Sequence, residues 1–154
     1  MLSSLYPIVS AVGANLLAQF LKPFVYWFRT GKFDLKLIYE TGGFPSSHAS
    51  AMSGLATAVG IIEGFDSTLF AIAAVLMLVI SYDAMNIRYY AGKNIQVTKQ
   101  LIKDLKEDEK VKLSNSELYL MKMKEVLGHK GVEVIAGLLL GIITALGFYY
   151  LLIY

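Results

Sequence analysis

Long apolar runs alternate along the chain with two polar stretches. Four runs, near residues 5–28, 48–63, 67–90 and 132–154, are apolar enough to be buried in a bilayer, where a straight helix needs about 20 residues. They predict an all-α fold, an integral membrane bundle of about four transmembrane helices. The second run is short and crowded with small side chains: Ala49, Ser50, Ala51, Ser53, Gly54, Ala56, Ala58 and Gly60. Small residues let helix backbones approach closely in lipid, so this run is expected inside the bundle, and its surface would equally serve a homodimer. Glu63, Gly64, Phe65 and Asp66 leave room only for a tight hairpin, so the second and third helices are expected to be antiparallel neighbours. The polar stretches cover about 29–47 and 91–131. The longer one contains the amphipathic run Val97, Leu101, Ile102 and Leu105, which suits a helix lying at the membrane interface.

Composition supports the membrane reading. Hydrophobic residues make up 56% of the 154 and charged ones only 17%, too apolar a balance for a water-soluble domain of this size. The length suits a single membrane domain, 1–154. Met1 to Phe20 has neither a basic leader nor a small-residue cleavage signature, and reads as a retained helix. With no cysteine there is no disulfide, thiolate metal site or cysteine nucleophile. The net charge of +2 is small and basic residues are mixed with acidic ones, so nucleic acid is not an expected partner. The position of the charges says more than their sum. All 14 Lys and Arg fall from Lys22 to Lys36 or from Arg88 to Lys130, in or beside the two polar stretches. By the positive-inside rule that face is cytoplasmic, with both termini and the Glu63–Asp66 hairpin outside.

This topology returns His48, Arg88 and His129 to one membrane face. Each histidine also stands at the start of a helix, where unpaired N–H groups and the positive end of the helix dipole attract anions. Before His48 the chain reads Thr41, Gly42, Gly43, Phe44, Pro45, Ser46 and Ser47, a tight turn followed by hydroxyls that suit a phosphate cradle. A Pro-Ser-Ser that only caps a helix reads the same way up to the histidine. His129 and Glu133 are four apart, so the carboxylate can orient the imidazole and leave its other nitrogen free as a base or nucleophile. The competing reading of His129 is an interfacial histidine at a loop end. Lys22 and Arg29 lie where the first helix leaves the membrane. Lys32 and Lys36 read as snorkelling anchors. Asp83 lies about two turns inside the end of the third helix and is expected to face protein or a water-filled cleft, as an ion-pair or a catalytic group. Tyr89, Tyr90, Tyr149, Tyr150 and Trp27 form an aromatic belt.

At these residues the sequence resembles the type 2 phosphatidic acid phosphatase superfamily, which includes acid phosphatases and vanadium-dependent haloperoxidases. It is closest to the small divergent membrane branch of that superfamily. The superfamily motifs are KxxxxxxRP, PSGH and SRxxxxxHxxxD. Lys22 and Arg29 have the first spacing, with Thr30 in place of proline. Pro45-Ser46-Ser47-His48 matches the second with serine in place of glycine. His129 and Glu133 match the end of the third, while Lys122 and Met123 stand where serine and arginine are expected. The resemblance covers roughly residues 13–145.

It implies a metal-independent hydrolase without cofactor, acting on a phospholipid or prenyl phosphate in a bacterial or archaeal plasma membrane. His129 would attack phosphorus and form a phosphohistidine. His48 would protonate the leaving oxygen and Glu133 would orient His129. Lys22, Arg29, Ser46, Ser47, and Lys124 or Arg88 would bind the phosphoryl oxygens. Two alternatives remain open: a regulatory membrane protein that binds an anion or lipid without turnover, and a small transporter using Asp83 and Arg88.

Overall fold

A computed structural model describes residues 2–40, 42–107 and 130–152. Among them the elements are helix α1 (Leu2–Thr30), a 3-10 turn (Leu35–Tyr39), and helices α2 (Ser47–Glu63), α3 (Thr68–Met85), α4 (Ile87–Glu107) and α5 (Gly131–Leu152). The fold is all-α, with no strand among the described residues. His129, Lys124, the run from residue 108 to 128, Thr41 and the side chain of Arg88 lie outside the described residues.

The distribution of side-chain size is that of a bundle solvated by lipid. Large apolar residues point outward, among them Leu16, Leu78, Ile143 and Leu151, whereas the buried positions are chiefly Ala, Ser and Gly. Water would not tolerate such a surface; hydrocarbon does, and close backbone packing then holds the helices together. Among the described residues, three helical stretches are long and apolar enough to cross a membrane: Ser4–Thr30, Gly131–Leu152, and the one that begins at Thr68. Helix α2, with 17 residues, is about 25 Å long, shorter than the hydrocarbon slab. It sits among α1, α3 and α5, which is how a short, small-residue helix is accommodated.

Glycines set the registers. A side chain at Gly54 would press on the Ser10 carbonyl and Ala14 of α1, and one at Gly141 would collide with Ser50, Ser53 and Gly54 of α2. Ser50 adds a hydrogen bond from its hydroxyl to the Ala14 carbonyl (3.0 Å), and Tyr6 donates to the Ala145 carbonyl (2.8 Å). Successive contacts of Ser46 with Gly137, Ser50 with Gly141, and Ala58 with Ala145 show that α2 and α5 run parallel. Helix α1 is antiparallel to both.

The Glu63–Asp66 hairpin is as tight as expected. Gly64 caps α2 at φ 95°, and the Ser67 hydroxyl accepts from the Phe70 N–H (3.1 Å) to start α3. The third helix ends earlier than the apolar pattern suggests, at Met85 rather than near residue 90. Asn86 interrupts it for one residue, with φ −111° and ψ −72°; its backbone N–H donates to the Tyr82 carbonyl (3.0 Å) and its side-chain amide to the same oxygen (3.3 Å). Asparagine competes for backbone groups in this way and so favours helix ends. Helix α4 follows at once, with Val97 and Leu101 exposed along it.

Candidate functional site

The basic end of the bundle is assembled by the loop before α2. Gly43 takes a left-handed conformation (φ 95°), the Phe44–Pro45 peptide is cis, and Ser46 caps α2 by accepting from the Ala49 N–H (3.4 Å). The backbone N–H of Ser46 donates to the Glu133 carbonyl in the first turn of α5 (2.9 Å). That bond, with the Ser46 carbonyl packed where a side chain of Gly137 would go, brings the amino termini of α2 and α5 together. Two parallel helix dipoles thus present their positive ends at one place.

Lys22 lies beside this junction. It is 2% exposed, its aliphatic stem rests against Gly43, and its Nζ donates to the Glu40 carbonyl (2.7 Å). The carboxylates of Glu40 and Glu133 are near enough for their charges to act on it. Arg29 is exposed and stacks its guanidinium over the Phe44 ring, 5.4 Å from the centroid, fastening the loop to the end of α1. Ser46 and Ser47 are fully buried, and the Ser47 hydroxyl has no hydrogen-bond partner. His48, half-buried, is the second residue of α2.

Glu133 also caps its own helix: its carboxylate accepts from the Lys130 N–H (3.2 Å), the return half of a capping box. The pairing of Glu133 with His129 expected from their spacing concerns a residue outside the described set, as do Lys124 and the Arg88 side chain. Asp83 is half-buried and borders a cavity of about 730 Å³ against α3, which Ile87 and Leu138 also line. Met85 and Leu138 on its wall pack with Ala49, Ala84 and Val134.

The structure thus brings Lys22, Ser46, Ser47, His48 and Glu133 to one end of the bundle, with Arg29 on its rim. The family model that matches this chain, over residues 4–144, is described as the Divergent PAP2 family. The chain belongs to this family. It is also 34% identical over 145 residues to the uncharacterized membrane protein YuiD of Bacillus subtilis (strain 168), covering 92% of each chain. No solved structure matches. Membership agrees with the motif resemblance and with a membrane protein built of helices.

Two polar residues of α1 near this junction were not singled out in the sequence. Asn15 donates from its amide to the Ser47 carbonyl (3.3 Å), and Gln19 lies one turn further along α1. Their signal is the spacing of Asn15, Gln19 and Lys22, three polar residues on one face of an otherwise apolar helix.

Proposed function

We propose that this protein is a membrane phosphatase that hydrolyses a lipid phosphate or diphosphate at the cytoplasmic face through a phosphohistidine. The observation that carries the reading is the junction of the α2 and α5 amino termini beside a buried lysine. An ammonium withdrawn from water beside two helix amino termini has the Glu40 and Glu133 carboxylates as nearby countercharge, and a phosphoryl anion would offer it a direct one. A phosphoryl oxygen would take the place of the Glu40 carbonyl as the partner of Lys22. The apolar cavity of about 730 Å³ beside α3 is of a size that would hold a hydrocarbon chain.

In the proposed reaction a ring nitrogen of His129 forms a bond to phosphorus as the bond to the lipid oxygen breaks, and His48 gives that oxygen its proton. His48 then takes a proton from water, whose oxygen cleaves the phosphorus–nitrogen bond and frees phosphate. Glu133 orients His129. Lys22, Arg29, Ser46 and Ser47, with Lys124 or Arg88, neutralise charge on the transferring group.

The test is phosphate release by the purified protein in detergent from phosphatidic acid and a prenyl diphosphate. Release should be blocked by vanadate and fall at least about 100-fold in His48→Ala and His129→Ala. One observation favours a binding protein without turnover: Lys122 and Met123 replace the family's serine and arginine. Absence of hydrolysis across a broad lipid-phosphate panel, with phosphate analogues still bound, would establish that reading instead.

A further inference from the structure

Helix α4 follows directly on membrane-spanning α3, and its sequence divides into two sides. At about 100° per residue, Ile87, Tyr90, Ile95, Val97, Leu101 and Ile102 fall within an arc of about 160°. Ile87, Tyr90, Val97 and Leu101 are exposed, Val97 by 67%. The only substantial packing of α4 among the described elements is with α3, next in line. Such a row of large apolar side chains does not stay wetted without a partner. The charges stand on the other side and point to what that partner is. From Ile87 to Lys103 the helix carries Arg88, Lys93, Lys99 and Lys103 and no acidic residue. Lys93 and Lys99 lie about 120° to either side of the centre of the apolar arc, and Lys103 is nearly opposite it. Asp104, the acid that follows, accepts from the Gln100 amide (2.7 Å).

We infer that α4 lies along the headgroup layer of the bilayer that α3 crosses and binds its anionic phospholipids. The apolar arc enters the boundary between headgroups and acyl chains to a depth of about 5–10 Å. Lys93 and Lys99, flanking it, run their stems along the apolar surface and set their ammonium groups among the phosphates. Each cation near an anionic membrane surface strengthens the association roughly fivefold. The one-residue interruption at Asn86 (φ −111°, ψ −72°) is the joint at which the helix axis leaves that of α3. Charge favours this occupant over a second copy of the chain, because a second α4 would bring the same four cations to the contact. Ile87, at the start of α4, lines the cavity beside α3, so lipid gathered along the helix is held next to that cavity. Binding of this kind does not depend on turnover at the start of α2 and takes anionic lipid whatever its phosphate linkage.

The probe is a single cysteine at Val97, in a chain that has none of its own, carrying an environment-sensitive dye on the full-length protein in vesicles. Vesicles of phosphatidylcholine alone are compared with vesicles rich in phosphatidylglycerol, each containing a lipid with a nitroxide quencher just below the headgroup. At low salt, quenching should be at least about threefold stronger in the anionic vesicles. It should fall toward the zwitterionic level in 1 M salt, where the screening length is about 3 Å. Replacing the three lysines together, by Lys93→Gln, Lys99→Gln and Lys103→Gln, should remove the dependence on lipid charge. Lys93→Arg, Lys99→Arg and Lys103→Arg together should keep it. Equal quenching in both kinds of vesicle, unchanged by salt, would mean that the apolar side is covered regardless of lipid charge and would overturn the inference. A dye that stays wetted in both would do the same.

Discussion

Lys22 is the side chain on which binding and folding make different demands. Its only hydrogen bond among the described residues goes to the carbonyl of exposed Glu40, which water can satisfy if the lysine is removed. Lys22→Met is therefore predicted to leave thermal unfolding in detergent within about 1 kcal/mol of the wild type. The same change should lower phosphate release or phosphonate affinity by about 100-fold, the scale of losing one charged contact to a transferring phosphoryl group. A variant that loses stability and binding together would mark Lys22 as structural. That Lys22 stands where the first helix leaves the membrane was legible in the apolar pattern, and the structure gives it a partner there in the Glu40 carbonyl. The identity of that partner was not, because Glu40 lies across a loop whose path the local pattern leaves undetermined.

Among the helices, the closest approach is that of α2 to α5. A Cβ at Gly141 would meet Ser50, Ser53 and the backbone of Gly54, whereas one at Gly147 meets nothing within 4 Å. Gly141→Val is predicted to destabilise the bundle by about 1–3 kcal/mol, the range for overfilling a packed interface. Gly147→Ala should leave the unfolding midpoint unchanged or slightly raised. Equal effects at the two positions, measured by thermal unfolding in one detergent, would contradict the parallel packing described above. The small-residue character of α2 announced an interior helix. The junction of α3 with α4 was harder to read: hydrophobicity continues through Ile87 and Tyr90, and the backbone bonds from Asn86 to Tyr82 and from Tyr90 to Asn86 run through it.

For the whole molecule, the arrangement of charge sets an expected orientation. Single cysteines introduced at the exposed positions Lys36 and Phe65, in a chain that has none of its own, should react with an impermeant reagent from opposite sides of sealed vesicles. Position 36 should be reached from the cytoplasmic side. Labelling of both from one side would rule out the antiparallel path of α1, α2 and α3. The sequence by itself determined that the chain is helical, that it lives in a membrane and that its basic residues gather at one end, because hydropathy, helix length and charge are summed along the chain and need no knowledge of contacts. It also determined the family, through motifs that are local in sequence. Only the tertiary structure decided that α2 and α5 start side by side, that the Glu133 carbonyl accepts from the Ser46 N–H, and that Asn15 reaches the Ser47 carbonyl. Those facts depend on which backbones approach one another, and in a bundle packed through glycine, alanine and serine that choice is made by shape between distant segments.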